Sequence, residues 1–151
     1  MLRSLSSGLT RNRSRIASLI EAAPYAALSL MAVAATRIAL TFFSLTALRR
    51  HMLPAAPPTR YDPAEIRRIA LSVRLAACLV PFASCLTQAQ SCQILLARRG
   101  IASTMCLGVR QTGHGRTAAH AWLVCQHKLV LGGAPERIAA FRLLAELGPV
   151  R

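Results

Sequence analysis

Between residues 54 and 100 the chain is punctuated by signals that leave the backbone few choices. Pro54-Ala55-Ala56-Pro57-Pro58 stops any helix before it, because proline lacks the amide and disfavours helical geometry in the residue it follows. Asp62-Pro63-Ala64-Glu65 then starts one: aspartate caps, proline suits the first helical position, and Glu65 stands at the capping-box position. The spacing predicts a helix to about Leu79, with Ile66, Ile69, Val73 and Leu75 to Val80 facing inward and Arg67, Arg68 and Arg74 facing water. Pro81 interrupts the chain and Ser84 caps again. A second helix is therefore predicted from Cys85 through Leu86, Ile94, Leu95 and Leu96 to Arg99, ending at Gly100.

After Gly100 the hydrophobic period shortens to two. Ile101 to Arg110 reads as a strand, with Ile101, Met105, Leu107 and Val109 on one face and Ala102, Thr104, Cys106 and Arg110 on the other. Gln111 to Thr117, with two glycines around His114, reads as a loop. A second strand follows from Ala118 to Gln126, with His120, Trp122 and Val124 on one face and Ala119, Ala121, Leu123 and Cys125 on the other. Gln126-His127-Lys128 turns into Leu129-Val130-Leu131 and Gly132-Gly133, giving an antiparallel pair, and a last helix is predicted from Pro135 to Leu147. The class is α+β: N-terminal helices, a central helix, a small antiparallel sheet and a C-terminal helix. At 151 residues there is room for one modest domain and an appendage. The division reads as 1–50 basic arm and apolar helix, 51–61 proline-rich linker, and 62–151 folded domain.

The N-terminal third constrains location. MLRSLSSGLTRNRSR is a basic arm, and residues 22–36 carry no charge; after Arg37 an apolar run continues to Leu48. A membrane span is disfavoured because Arg37 falls near the middle of the only window long enough. A secretory signal has in its favour the basic arm and the small residues Ala32-Val33-Ala34. The favoured reading is a broadly buried helix packed on the domain of a cytoplasmic protein, with membrane-surface contact as a second possibility. The 19 basic residues against five acidic ones, net +14, suit nucleic acid, anionic lipid or an acidic peptide. Nucleic acid is disfavoured: the pairs Arg49-Arg50, Arg67-Arg68 and Arg98-Arg99 are scattered, with no zinc-finger or helix-turn-helix signature and no stacking platform.

Five cysteines, an odd number without a CxxC pair, argue against a disulfide framework and against a structural zinc site. Cys85 stands apart because it opens a helix, where unsatisfied amides and the helix dipole favour negative charge on a nucleophile. Cys92 lies two turns on and gains no such help. Among the histidines, His51 falls in the linker, His114 in the glycine-rich loop and His127 at a hairpin turn, whereas His120 sits on a central strand. A thiol nucleophile needs an imidazole to take its proton and return it to the leaving amine. The competing reading of His120, a core histidine satisfied by a backbone carbonyl, stays open at this point.

Pro81-Phe82-Ala83-Ser84-Cys85-Leu86, Leu95-Leu96-Ala97-Arg98-Arg99-Gly100-Ile101, Gly108-Val109-Arg110 and Ala119-His120-Ala121-Trp122 together resemble the leader peptidases of lasso-peptide biosynthesis, the B-protein family of the transglutaminase-like superfamily. That resemblance implies a papain/transglutaminase-like core in which Cys85 attacks the bond between leader and core peptide. His120 would serve as base and then acid, and amides at the start of the Cys85 helix would hold the oxyanion. It implies no metal and no cofactor in this chain; ATP belongs to a partner, an asparagine-synthetase-like macrolactam cyclase. The other partners implied are the precursor peptide and a separate leader-recognition element. Relatives carry an acidic residue after the histidine-alanine-tryptophan motif, whereas here the stretch reads Val124-Cys125-Gln126-His127. Two candidates for orienting the imidazole follow, Gln126 and, from the last helix, Glu136. Two other classes remain: a non-catalytic scaffold or membrane-surface adaptor in the same pathway, and transglutaminase or amidase chemistry at the same cysteine and histidine.

Overall fold

A computed structural model describes residues 20, 22–53, 60–113 and 115–149. The basic arm, Pro54 to Pro58 of the linker and His114 lie outside the described residues. A 3-10 turn, Ala23–Tyr25, leads into α1, Ala26–Phe42; α2, Leu45–Met52, follows after Ser44, whose side chain accepts from the Ala47 amide. His51 and Met52 thus finish a helix before the proline-rich stretch begins.

The two predicted central helices form where their caps put them. α3 spans Pro63–Leu79, with the Asp62 carboxylate accepting from the Ala64 and Glu65 amides at 3.0 Å each. α4 spans Cys85–Arg98, with Ser84 Oγ accepting from the Thr87 amide at 3.2 Å. The carboxylate of Glu65 does not serve a capping box. It is buried, accepts from the Tyr25 hydroxyl at 2.8 Å, and pairs with Arg60 at 3.1 Å and Arg99 at 3.7 Å, tying the 3-10 turn to the start of α3 and the end of α4. Ile66, Ile69, Val73 and Ala76 face the core as expected, with Ala77 and Val80 packed against it, but Leu75 and Leu79 are exposed.

The sheet is antiparallel with strand order β3-β2-β1-β4. β1 is Thr104–Thr112 and β2 is Arg116–Cys125, paired from Thr104↔Val124 to Thr112↔Arg116, so both strands extend into the segment expected to be a long loop. Ile101 forms only an isolated bridge to Arg60. Gln126 and His127, at φ +45° and +64°, make the two-residue turn into β3, Lys128–Leu131, both in the left-handed region a tight hairpin demands. Met105, Ala121, Leu123, Cys125 and Leu131 pack against Ile69, Val73, Cys92 and Leu96 of the helices. Each large aliphatic side chain buried there contributes about 1.5–3 kcal/mol.

The expected C-terminal helix is not present. α5 is one turn, Pro135–Ile138, and Arg142–Leu147 is β4, paired antiparallel with β1 from Met105↔Leu147 to Val109↔Arg142. The helical preference of Arg, Leu, Ala and Glu is worth only tenths of a kcal/mol per residue. Satisfying the open edge of β1 with a ladder of backbone hydrogen bonds outweighs it. Two side chains fasten the end of this strand. Gln93 Nε2 donates to the carbonyls of Ser103 (3.0 Å) and Leu147 (2.9 Å), and buried Arg49 donates to Gln93 Oε1 and to the Gly148 carbonyl.

Among the described residues one helix, Ala23–Phe42, is long and apolar enough to cross a membrane. Only 17% of its most apolar window is buried, so the broad burial expected of it does not occur.

Candidate active site

Cys85 opens α4 by the local logic just described: after the turn at Pro81-Phe82, Ser84 caps the helix and leaves the cysteine half-exposed in the first turn. His120 comes from the middle of β2, opposite Gly108. β3 pairs with β2 only as far as Leu123↔Leu131, so beyond that point the edge of β2 is open and the Gly132-Gly133 peptide crosses it. There Cys85 and His120 line one cleft of about 140 Å³, with Arg74, Gln88, Ala121, Leu131, Gly132 and Gly133.

The imidazole is held from three sides. Its Nε2 lies 2.6 Å from the Gly132 carbonyl oxygen. A carbonyl only accepts, so in this hydrogen bond Nε2 carries the hydrogen and the neutral ring presents Nδ1 as its basic nitrogen. The ring stacks on Trp122 (centroids 6.2 Å apart, 23° between planes) and meets Phe141 at 5.2 Å. The Arg110 guanidinium carbon lies over the Phe141 ring, 5.1 Å from its centroid. Two glycines make this packing possible. A Cβ on Gly108 would meet the Trp122 ring at 2.8 Å, and one on Gly132 would fall 2.3 Å from Trp122 Cβ.

Gln126 and Glu136 are not brought to the ring. Gln126 is exposed in the β2–β3 turn, six residues beyond His120 along an extended strand and so on the order of 20 Å away. Glu136 is exposed on α5 and makes no hydrogen bond or ion pair among the described residues. The position next to Nε2 is filled by a main-chain oxygen instead. Sequence reasoning missed it, along with Arg74 and Gln88 in the cleft wall; the Gly132-Gly133 doublet was the available signal.

Three of the other four thiols are poorly suited to compete. All five cysteines are free; Cys92, Cys106 and Cys125 are buried and Cys78 is exposed. Burial pushes the Cys92 thiol far up, lifts that of Cys106, and pushes that of Cys125 up to about 11, so these three stay protonated at neutral pH. Among the described residues no group of three or more His, Cys, Asp or Glu is placed to hold a metal ion.

A second, larger groove of about 320 Å³ runs between α3 and β3, floored by Ile66, Leu71 and Val130 and rimmed by Arg74 and Lys128. Arg74 belongs to both cavities and joins them.

A helix bearing a cysteine at its mouth, packed on an antiparallel sheet that carries a histidine, defines an α+β domain with a transglutaminase-like arrangement. The chain belongs to the transglutaminase-like superfamily, whose family profile matches residues 30–146, more than three quarters of its length. No curated protein and no solved structure matches it.

Proposed function

We propose that this protein is a cysteine peptidase that removes the leader from a lasso-peptide precursor, with Cys85 as nucleophile and His120 as base and then acid. The observation that carries the reading is the single cleft shared by the two side chains, with the imidazole fixed by the Gly132 carbonyl. The transglutaminase-like domain, of the kind characteristic of lasso-peptide biosynthesis proteins, supports the same reading.

The chemistry follows from those groups. Cys85 Sγ attacks the carbonyl carbon of the scissile peptide as its proton passes to Nδ1 of His120. The imidazolium that forms strengthens the Nε2 hydrogen bond to Gly132, since a charged donor binds a carbonyl more tightly. First-turn amides of α4, those of Cys85 and Leu86, are the donors for the oxyanion, with the Gln88 side chain beside them in the cleft wall. Collapse of the tetrahedral species breaks the C–N bond, and His120 returns the proton to the departing amine. Water then hydrolyses the thioester, deprotonated by the same imidazole. The α3–β3 groove, apolar with a basic rim, suits an extended leader segment with apolar and acidic side chains. A leader-recognition element and an asparagine-synthetase-like, ATP-using macrolactam cyclase complete the pathway in this reading.

The test is cleavage of the precursor in vitro, with and without those partner proteins. Cys85→Ala is expected to abolish processing and keep the fold, while Cys92→Ala and Cys106→Ala continue to process. Full processing by Cys85→Ala overturns the assignment. A scaffold role is the second reading, favoured by the absence of any carboxylate on the imidazole among the described residues. Wild-type protein that accelerates the cyclase reaction on a pre-cleaved peptide but never cleaves would establish it.

A further inference from the structure

Helix α1 is built inside out. The side chains it turns to the protein interior are Ser29, Val33 and Thr36, all fully buried and spaced as one helical face requires. Ser29 and Ser72 share a hydrogen bond of 2.6 Å, and Ser91 Oγ, which donates to the Thr87 carbonyl at 2.7 Å, lies 3.3 Å from the Ala32 carbonyl, so this inner contact is made largely of small and hydroxyl-bearing residues. The outer face carries Leu28, Met31, Ile38 and Phe42, followed by Phe43, all between 43% and 76% exposed. No charged residue of α1 is exposed: Arg37 is half-buried and donates to Thr41 one turn on.

Water selects the opposite arrangement, apolar side chains inward and polar ones outward. Small and hydroxyl residues between helices, with large apolar side chains pointing away, is the pattern of helices packed in hydrocarbon. The patch also extends past α1. Leu79, 73% exposed, lines with Leu30 and Ala26 an apolar cavity of about 390 Å³ between α1 and α3. Phe82, three residues further on, is 85% exposed and held at φ +60°, a conformation that costs a bulky residue free energy.

We propose that this face seats the protein on an anionic membrane, with α1 lying in the plane of the interface and its outer side chains among the acyl chains. Lipid is favoured over a second copy because the apolar residues spread over α1 and the turn after α3 rather than forming one narrow seam, and because the chain carries a net charge of +14. Arg3, Arg11, Arg13 and Arg15 precede the apolar helix in sequence. An apolar helix preceded in sequence by several arginines carries the two kinds of signal that stable membrane attachment needs. The helix lies in the interface rather than crossing, since its inner face packs on α3 and α4, and α3 exposes Arg68 and Arg74. Phe82 stands three residues before Cys85, so docking brings the cleft close to the lipid surface.

The experiment is flotation of the full chain with vesicles of equal parts phosphatidylcholine and phosphatidylglycerol, against phosphatidylcholine alone. Wild type is expected to partition at least tenfold more onto the anionic vesicles. The double variant Met31→Glu/Phe42→Glu is expected to lose at least tenfold of that binding, with circular dichroism and melting temperature unchanged. Wild type that stays unbound overturns the proposal, and so does a double variant that floats like wild type, which would leave binding to basic charge alone. A wild-type dimer that the double variant dissolves, without vesicle binding by either, overturns it in favour of a second copy on this face.

Discussion

Gly132→Ala tests whether the imidazole depends on where one peptide plane sits. An alanine Cβ there would fall 2.3 Å from Trp122 Cβ and 2.9 Å from its Cα, atoms of a buried strand that cannot swing away. Carbon atoms pack at about 3.5 Å or more, so the Gly132 peptide must retreat by about 1.2 Å. It does so while φ, at +130°, is one that alanine resists. Overpacking and backbone strain together should cost about 3 kcal/mol. A retreat of that size stretches the 2.6 Å Nε2–oxygen contact beyond hydrogen-bonding range. The ring then loses its fixed tautomer, and turnover should fall on the order of 100-fold if positioning governs the rate. Gly133→Ala is the matched control. Its φ of +115° is equally unsuited to alanine, but the nearest atom to its Cβ is the flexible Arg137 Cδ at 4.0 Å, so it carries strain without displacement. Urea unfolding measures the stability losses, and long-range 15N–1H spectra of the imidazole report the tautomer. Equal losses in the two variants, or an unchanged His120 ring spectrum in Gly132→Ala, would refute the reasoning.

Gln93→Leu removes the acceptor for Arg49 and the donor to the Ser103 and Leu147 carbonyls; it should destabilise by about 4 kcal/mol in urea unfolding, and a loss below about 1 kcal/mol would show the network to be dispensable. In the native protein at pH 7.5, iodoacetamide should modify Cys85 and Cys78 while sparing Cys92, Cys106 and Cys125; rapid labelling of Cys92, read by peptide mass, would contradict its burial. The amide of Glu65 holds the Asp62 carboxyl below its ordinary range, helped by the Ala64 amide and Arg60. A lowered folded value means the contribution is complete above the ordinary aspartate range and is lost as pH falls through the folded value. Acid melting curves of Asp62→Asn should therefore lack that part of the pH dependence below about pH 4, and curves parallel to wild type would dismiss it.

The parts of this fold that could be read in the sequence are those decided locally. Asp62 and Ser84 mark helix starts because a cap satisfies amides within three residues of itself, and the Gln126-His127 turn stands between two short apolar runs that pair as a hairpin. What escaped was decided at a distance. Arg142–Leu147 carries helix-forming residues, and only the open edge of β1, more than thirty residues earlier, makes it a strand. The orienting group on His120 is a main-chain oxygen, which every residue possesses and no motif records. Neither the amide of Gln126 nor the carboxylate of Glu136 takes that place, because the fold fills it with backbone. Helix α1 was legible as apolar but not in its orientation, although Ser29, Val33 and Thr36 already stand at helical spacing.

The hydrogen bond from Arg49 to the Gly148 carbonyl spans 99 residues of chain. A guanidinium in transit through a protein interior has nowhere to go until an acceptor arrives, and both of its acceptors come from segments made later, Gln93 and then Gly148. During synthesis α2, which carries this charge, must therefore wait with it still hydrated until β4 has left the ribosome and found β1. The last strand is in this sense a latch: a nascent chain stalled before residue 142 should keep α2 loose and open to proteolysis, while α1 already rests on α3 and α4.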